Sequence, residues 1–405
     1  MIFIMKKIKL VIFNEIYWDN GLIYTQNILP ILKMQKLNCH LTVISFTSFL
    51  MLFTSWKERR AFKCKMKSCC VDIYDLPILF VPSRLFIVRW FLYPFLLLNT
   101  FIYMLIFNLI DWYSAQRVVY VLRSYNVALS FLSLYFGKKT LIFDARTDFI
   151  IEQRKIGSWK KNSLSDKFWL SVEAKLLRRC DKTIFISDIF KSEVLLRHNL
   201  SDNMYRYRVY YNTVDYVHFE KCDNNKSGFH FLYTGSLANW NNLELYLDFF
   251  LDISSYLLDS NFYIVTTTNL AKIGYILKKK KYRPVLNRII LRHNIAYEEL
   301  PIYYKKCSFG LQLMSTPDSR VGVKFVEYMA AGLIPIVSAN VKGAAYLCDK
   351  YEVGVIIDNN KSVREIVDAM KVRTSDPLKK DKYDAMKKII DLNSSYMNLY
   401  NIYFG

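Results

Sequence analysis

The 405-residue sequence predicts an α/β protein of two domains in tandem, each a parallel sheet with helices on both faces. Three observations predict it. Runs such as "IKLVIF" (8–13) and "LTVISF" (41–46) are apolar throughout, as strands buried on both faces must be. Helix-like stretches long enough to cross over a sheet lie between most of them. The alternation breaks at the polar segment "KCDNNKSG" (221–228) and then begins again. The length exceeds one ordinary core and fits two domains of about 200 residues. The boundary is expected near 212–228, giving domains 1–212 and 213–405, with a C-terminal helix at about 388–405 packing back on the first.

Taken in order, "MIFIMKKIKLVIFNE" holds too short an apolar run for a secretory signal and suits a first strand. The helix-like "YTQNILPILKMQKL" joins it to "LTVISF", and the basic "WKERRAFKCKMKS" (56–68) reads as an exposed helix face. From Trp90 to Ile110 the chain carries no charge over 21 residues, the length of a membrane span. Strand-like segments on both sides oppose a span, because it would divide one sheet across a bilayer. Cations flank both ends (Arg84 and Arg89, Arg117 and Arg123), where a single span calls for asymmetry. The expectation is a helix partly buried in its domain and partly dipping into the membrane surface.

Beyond it, "RVVYVL" and "TLIFDARTD" (140–148) supply strands, "SDKFWLSVEAKLLRRC" a helix, and "KTIFIS" (182–187) a strand whose Ser187 can cap the next helix. "YRVYYNTVDYVHF" (207–219) reads as a strand entering a crossover loop. In the second domain "FHFLYTGS" is a strand ending in Gly235-Ser236, followed by the helix "NNLELYLDFFLDISSYL". "NFYIVTTT", "NRIILRH", "SFGLQLM", "IPIVS" and "VGVIID" complete the strands. In such architecture ligands bind at the carboxyl ends of the strands, so a cleft between the two domains is the expected site.

A hydrophobic fraction of 53% supplies ample buried sheet, and only 12 Gly and 9 Pro argue against long disordered linkers. The net charge, 56 − 35 = +21, implies an anionic partner: nucleic acid, phosphorylated small molecules or an anionic membrane face. Eight scattered cysteines form no CxxC pair and no zinc-spaced cluster with histidine. Reduced thiols and a cytoplasmic setting follow.

The stretch "SRVGVKFVEYMAAGLIPIVS" (319–338) concentrates chemistry. On a helical period Arg320, Lys324 and Glu327 share one face, ahead of Ala330-Ala331-Gly332 and a strand. Two readings stand: a solvated face with an ion pair, or a nucleotide-diphosphate clamp in which cations and free N–H groups hold phosphate and the carboxylate holds ribose hydroxyls.

The segment "VKFVEYMAAGLIPIVSANVKGAAYL" resembles the signature helix of glycosyltransferase family 4, with its "K..EYmAaG.PvI.s" pattern. "FLYTGSLANWNNLE", "LRHNIAYEELPIYYKKCSFGLQLM", "CDKTIFIS" and "YYNTVD" resemble further elements of that family in the expected order, covering most of 110–360. The resemblance implies the GT-B fold, two Rossmann-like domains facing an interdomain cleft. It also implies retaining transfer of a sugar from a nucleotide-diphosphate sugar, with no metal and no other cofactor. The absence of any Asp-x-Asp agrees with that. Donor contacts would fall on Gly235, Ser236, Arg320, Val323, Lys324 and Glu327, with Arg320 and Lys324 on the diphosphate and Glu327 on the ribose. Arg123, Asp144 and Arg146, at strand ends of the first domain, would meet the acceptor or the transferred sugar, joined by Gly21 in the loop after the first strand. An Asp144–Arg146 structural pair is the alternative for those two.

Two positions depart from the family. Ser319 stands where its first signature Glu belongs, with Asp318 one residue off, and Asn241-Asn242 stand where a Lys-Gly is common. The expectation is a transferase on the inner face of the cell membrane, acting on a lipid-linked saccharide in surface polysaccharide synthesis. The apolar 90–110 segment, the basic run and the +21 charge all favour an anionic membrane partner. The alternatives are an inactive or non-transferring relative, such as a nucleotide-sugar epimerase, and a basic nucleic-acid-binding protein. No recognised motif supports the second, so nucleic acid is not expected as a partner.

Overall fold

The computed structural model describes residues 6–13, 23–78, 86–112, 117–132, 139–220, 228–237, 242–358 and 360–405. The chain divides into two compact units: Met1–Ile186 with Val194–Tyr210 and Tyr396–Gly405, and Ser187–Glu193 with Tyr211–Ser395.

The first unit holds a parallel sheet of β1 (Lys6–Phe13), β2 (Cys39–Ser48), β3 (Val71–Ile78), β4 (Val118–Leu122), β5 (Thr140–Ala145), β6 (Lys182–Phe185) and β7 (Tyr207–Val209). Their order is β3-β2-β1-β4-β5-β6-β7. The sequence leaves the first two and last four of these as apolar runs, but not β3. Asp72, Asp75 and Pro77 interrupt its pattern, which an edge strand tolerates because one side of it makes no ladder.

Between the strands lie α1 (Leu29–Lys33, extended by helical turns at Tyr24–Ile28 and Met34–Leu37), α2 (Phe49–Thr54), α3 (Trp56–Ser68), α4 (Phe86–Trp112), α5 (Tyr125–Leu132), α6 (Phe149–Lys155), α7 (Leu164–Arg179) and α8 (Asp188–Arg197). Ser187 caps α8, accepting from the Phe190 N–H at 2.9 Å. Ile8, Leu10, Val43, Val119 and Ile142 build one core face together with the chain's last residues, Leu399, Ile402, Tyr403 and Phe404. Lys182 Nζ pins that C-terminal stretch by donating to the Ile402 carbonyl at 2.7 Å. Each such apolar side chain contributes about 1.5–3 kcal/mol on burial.

The uncharged segment is the single long helix α4, with Pro94 inside it. It is not free of the domain. Asp111 near its end receives Lys9 Nζ of β1 at 2.7 Å on both oxygens, and the Tyr120 hydroxyl of β4. The Lys9–Asp111 pair is buried, so each charge depends on the other to offset its lost hydration.

The second unit holds β8 (Phe231–Thr234), β9 (Phe262–Thr266), β10 (Ile289–His293), β11 (Phe309–Gln312), β12 (Ile334–Ser338) and β13 (Val355–Ile357), all parallel, in the order β10-β9-β8-β11-β12-β13. Its helices are α9 (Tyr216–Glu220), α10 (Leu243–Ser254), α11 (Leu270–Leu277), α12 (Leu300–Lys306), α13 (Val323–Ala330), α14 (Lys342–Tyr351), α15 (Val363–Thr374) and α16 (Lys379–Ile390), with α17 (Leu392–Phe404) leading back to the first unit. The lysine run after α11 is tied down in part: Lys279 pairs with Glu244 and Lys281 with Asp248, both on α10.

Candidate functional site

In the second sheet the strand order reverses between β8 and β11, which opens a crevice at their carboxyl ends. The chain leaves β8 through Gly235, whose φ of +112° is a conformation that L side chains rarely adopt. A Cβ at Gly235 would stand 2.7 Å from Cε of Lys324, so the missing side chain is what admits the lysine. The helix that carries Lys324, α13, packs over the same strands. Its Tyr328 ring lies where a Cβ on Gly310 of β11 would be, at 2.3 Å, and its hydroxyl donates to the Leu311 carbonyl.

Gly322 is the N-cap of α13, and no side chain caps it. The first N–H groups of α13 therefore face the crevice with the positive end of the helix dipole. Beside them sits Gln312, the last residue of β11. It is buried, its Nε2 abuts Gly322, and its Oε1 has no hydrogen-bond partner. The arrangement suits an anionic ligand.

Lys324 donates from Nζ to the Tyr233 hydroxyl at 2.9 Å and lies 4.2 Å from the centre of that ring. Tyr233 in turn donates to the Ser236 carbonyl at 2.8 Å, which fixes its hydroxyl as acceptor towards the lysine. Glu327 receives the Tyr304 hydroxyl at 2.9 Å on Oε2, and Thr234 Oγ1 lies 3.2 Å from the same hydroxyl. Burial pushes the Lys324 ammonium down to about 8, against the pull of Glu327. Burial pushes the Glu327 carboxyl up to about 7, against the Tyr304 hydrogen bond and the lysine charge. Both residues are largely buried but keep some exposed surface, so the site holds a desolvated cation and a desolvated carboxylate within reach of a ligand.

Of the donor positions expected from sequence, Gly235, Ser236, Val323, Lys324 and Glu327 gather around this crevice. Arg320 departs from expectation. The helix begins at Val323, not at Ser319, so Arg320 lies outside it and the shared face reduces to Lys324 and Glu327. The guanidinium is engaged by Asp318, with Nη2 at 2.7 Å and Nε at 2.9 Å from its oxygens. The segment 318–320 is held extended because Asp318 bridges to Val341 and Gly343 packs against it; a Cβ on Gly343 would meet the Ser319 carbonyl at 2.5 Å. Ser319 hydrogen-bonds Glu193, which also pairs with Lys342 at 2.7 Å. A carboxylate thus stands beside Ser319 although none is at that position in the chain. Asn242 caps α10 by accepting from the Glu244 N–H, and Asn241 lies outside the described residues.

In the first unit the strand order reverses between β1 and β4. Arg123 follows β4, Asp144 lies at the end of β5, and Arg146 follows it. The structure joins all three through residues that sequence reasoning missed, Gln26 and Asn27. Asn27 donates to Asp144 Oδ2 at 2.7 Å and accepts from Arg123, while Arg146 Nη2 donates to the Gln26 carbonyl at 3.3 Å. Arg146 Nε stands 2.9 Å from Asp144, so the structural pair forms, buried within a larger polar cluster. Gly21 lies outside the described residues.

Tyr233, Tyr304, Thr234 and Gln312 were also missed. Nothing local in the sequence separates the two tyrosines from the other 28 of the chain's 30.

The family profile described as Glycosyl transferases group 1 matches residues 218–390. No curated protein sequence matches the chain. Among solved structures, HepE of Anabaena in complex with UDP is similar at TM-score 0.65 and 12% identity, covering 98% of this chain and 99% of that one. A glycosyltransferase of Rickettsia africae gives TM-score 0.66 at 14% identity, covering 98% of each. The lipopolysaccharide outer core galactosyltransferase WaaB gives 0.65 at 13%, covering 98% of this chain and 99% of that one. At these identities the structural likeness establishes the fold: the two parallel sheets are those of GT-B proteins.

Proposed function

We propose that this chain, whose C-terminal half carries a group 1 glycosyl transferase domain on a GT-B fold, transfers a sugar from a nucleotide-diphosphate sugar to a saccharide acceptor. The observation that carries the reading is the pairing of Lys324 with the uncapped start of α13 and the Gly235 turn, with Glu327 beside it on the same helix face. When the bond from the anomeric carbon to phosphate breaks, negative charge collects on the leaving diphosphate. Lys324 and the N–H groups of α13 are fixed donors for that charge, in a site already dehydrated on one side. Glu327 supplies a carboxylate for two neighbouring ribose hydroxyls. Arg320, already held by Asp318, is assigned a supporting role in shaping the segment that leads into α13.

Retention of the anomeric configuration and independence from metal follow from the family resemblance, with Lys324 and the first N–H groups of α13 doing for the diphosphate what a divalent ion does elsewhere. Homologous folds solved with UDP support a nucleotide-sugar donor. We place the polar cluster of Arg123, Asp144 and Arg146 on the acceptor side. The acceptor proposed is a lipid-linked saccharide of surface polysaccharide synthesis, met at the inner face of the cell membrane by a peripheral enzyme.

The test is transfer of radiolabelled sugar from a panel of UDP-, GDP- and ADP-sugars to extracted lipid-linked saccharides. Wild type should label the lipid fraction from one donor class, and Lys324→Ala should reduce the rate at least about a hundredfold, the scale of losing one charge-stabilising donor. Equal rates in the two proteins would remove Lys324 from the mechanism.

A further inference from the structure

We infer that the side-chain amide of Gln312 accepts a hydroxyl of the sugar to be transferred, and so sets which donors the crevice takes. The inference rests on the donor-site reading proposed above and goes further by naming a residue that reads the sugar, which neither Lys324 nor Glu327 does.

Gln312 is the last residue of β11, paired in register with Val337 of β12. Side chains alternate along a strand, so it emerges on the same face as Gly310, the face that α13 covers through Tyr328. Its amide head meets the N-cap of α13: a Cβ on Gly322 would stand 2.6 Å from Nε2. Only 9% of the residue is exposed, yet Oε1 has no hydrogen-bond partner among the described residues. An apolar side chain would spare the fold a buried, unpaired carbonyl at this place. The fold alone gives no reason for the amide.

The unpaired atom is an acceptor, and that selects its partner. The diphosphate oxygens of a nucleotide-sugar carry no proton at neutral pH. They suit the N–H groups of α13 and the Lys324 ammonium but repel a carbonyl oxygen. A hydroxyl can donate to it. Both ends of a nucleotide-sugar carry hydroxyls, and position along α13 separates them. Glu327 lies almost a turn beyond Lys324, whereas Gln312 stands at the N-cap, ahead of Lys324. With ribose at Glu327 and the diphosphate at Lys324 and the helix start, the group that reaches Gln312 is the sugar on the far side of the diphosphate. Such an acceptor also discriminates, because a donor lacking that hydroxyl leaves Oε1 dehydrated and unpaired. The crevice therefore takes sugars with a free hydroxyl turned towards β11 and disfavours those that are deoxy at that carbon.

The experiment is calorimetric titration of wild type and Gln312→Met with UDP, GDP and ADP, then with the matching nucleotide-sugars and their monodeoxy forms. Methionine keeps the length of the side chain and removes the acceptor. Wild type should bind one nucleotide-sugar more tightly than its bare nucleotide. Gln312→Met should bind the bare nucleotide as wild type does and lose about tenfold with the nucleotide-sugar, the scale of one hydrogen bond. In wild type one monodeoxy form should lose the same factor, and the variant should not distinguish that form from its parent. Ligand-free Gln312→Met should melt no earlier than wild type, since it sheds a buried unpaired group. Equal losses on nucleotide and nucleotide-sugar would place the amide on the phosphates and overturn the inference. So would a wild type indifferent to every deoxy form, or a variant that binds as wild type does, which would leave only water on Oε1. A ligand-free variant that melts earlier would make the amide a prop of the fold and overturn it too. A wild type that binds no nucleotide contradicts the donor site itself, and this inference falls with it.

Discussion

Lys324 and Glu327 are each held in the ionisation range where a small pH change matters, and the direction differs for each. The carboxyl of Glu327, raised to about 7 by burial, takes up a proton as pH falls through that value and ceases to accept from ribose hydroxyls. The ammonium of Lys324, lowered to about 8 by burial, loses its proton as pH rises through that value and ceases to attract phosphate. Affinity for a nucleotide-sugar, whose diphosphate does not titrate in this range, should therefore be bell-shaped with its maximum between the two. Calorimetric titration across pH checks it, and Glu327→Gln should flatten the acid limb and move the alkaline limb to lower pH, since the carboxylate that holds the Lys324 ammonium up is gone. Tyr233 acts here as a positioning residue, under the lysine and fixed by Ser236. Tyr233→Phe keeps the ring contact and removes the acceptor. It should weaken binding by about 1–2 kcal/mol and move the alkaline limb to lower pH, because a bond to the charged form is lost. An unmoved limb would reduce Tyr233 to a packing residue.

Two elements carry most of the arrangement, and the sequence exposes them unequally. The helix α13 was legible in "VKFVEYMAAG", where apolar residues recur at helical spacing before Gly332. Its first residue was not, because Gly322 and the packing of 318–320 against Gly343, distant in sequence, decide where it starts. What seats α13 on the sheet is the fit of Tyr328 over Gly310. Gly310→Ala should cost about 1–3 kcal/mol by overpacking in urea unfolding, with loss of nucleotide affinity as α13 shifts. The length of α4 was plain from composition, but its attachment was not, since Lys9 and Asp111 are a hundred positions apart and meet only once the sheet is formed. Asp111→Ala leaves Lys9 buried without a partner, in a place where burial already lowers its pKa, and should cost about 3–5 kcal/mol. The double change Lys9→Met/Asp111→Leu should recover most of that loss. If the single change were silent, α4 would be held by apolar packing alone.

At the scale of the molecule, the order of apolar strands and crossovers was enough to give the fold, because a parallel strand buried on both faces writes a continuous apolar run into the sequence. β3 escaped because it is an edge, and the buried tyrosines, Gln26 and Asn27 escaped because polar contacts between distant segments leave no periodic trace. The charge of +21 pointed to anionic partners without ranking them, whereas the structure shows an anion-suited crevice in the second unit. The central claim is that the crevice binds a nucleoside diphosphate through Lys324 and Glu327. The most direct test is a thermal-shift titration of UDP, GDP and ADP on wild type and Glu327→Ala. The account predicts that one nucleotide stabilises wild type and that the variant loses about 1–3 kcal/mol of that binding, the range for hydrogen bonds to a charged group. A folded wild type that no nucleotide stabilises, or a variant that responds as wild type does, would contradict it.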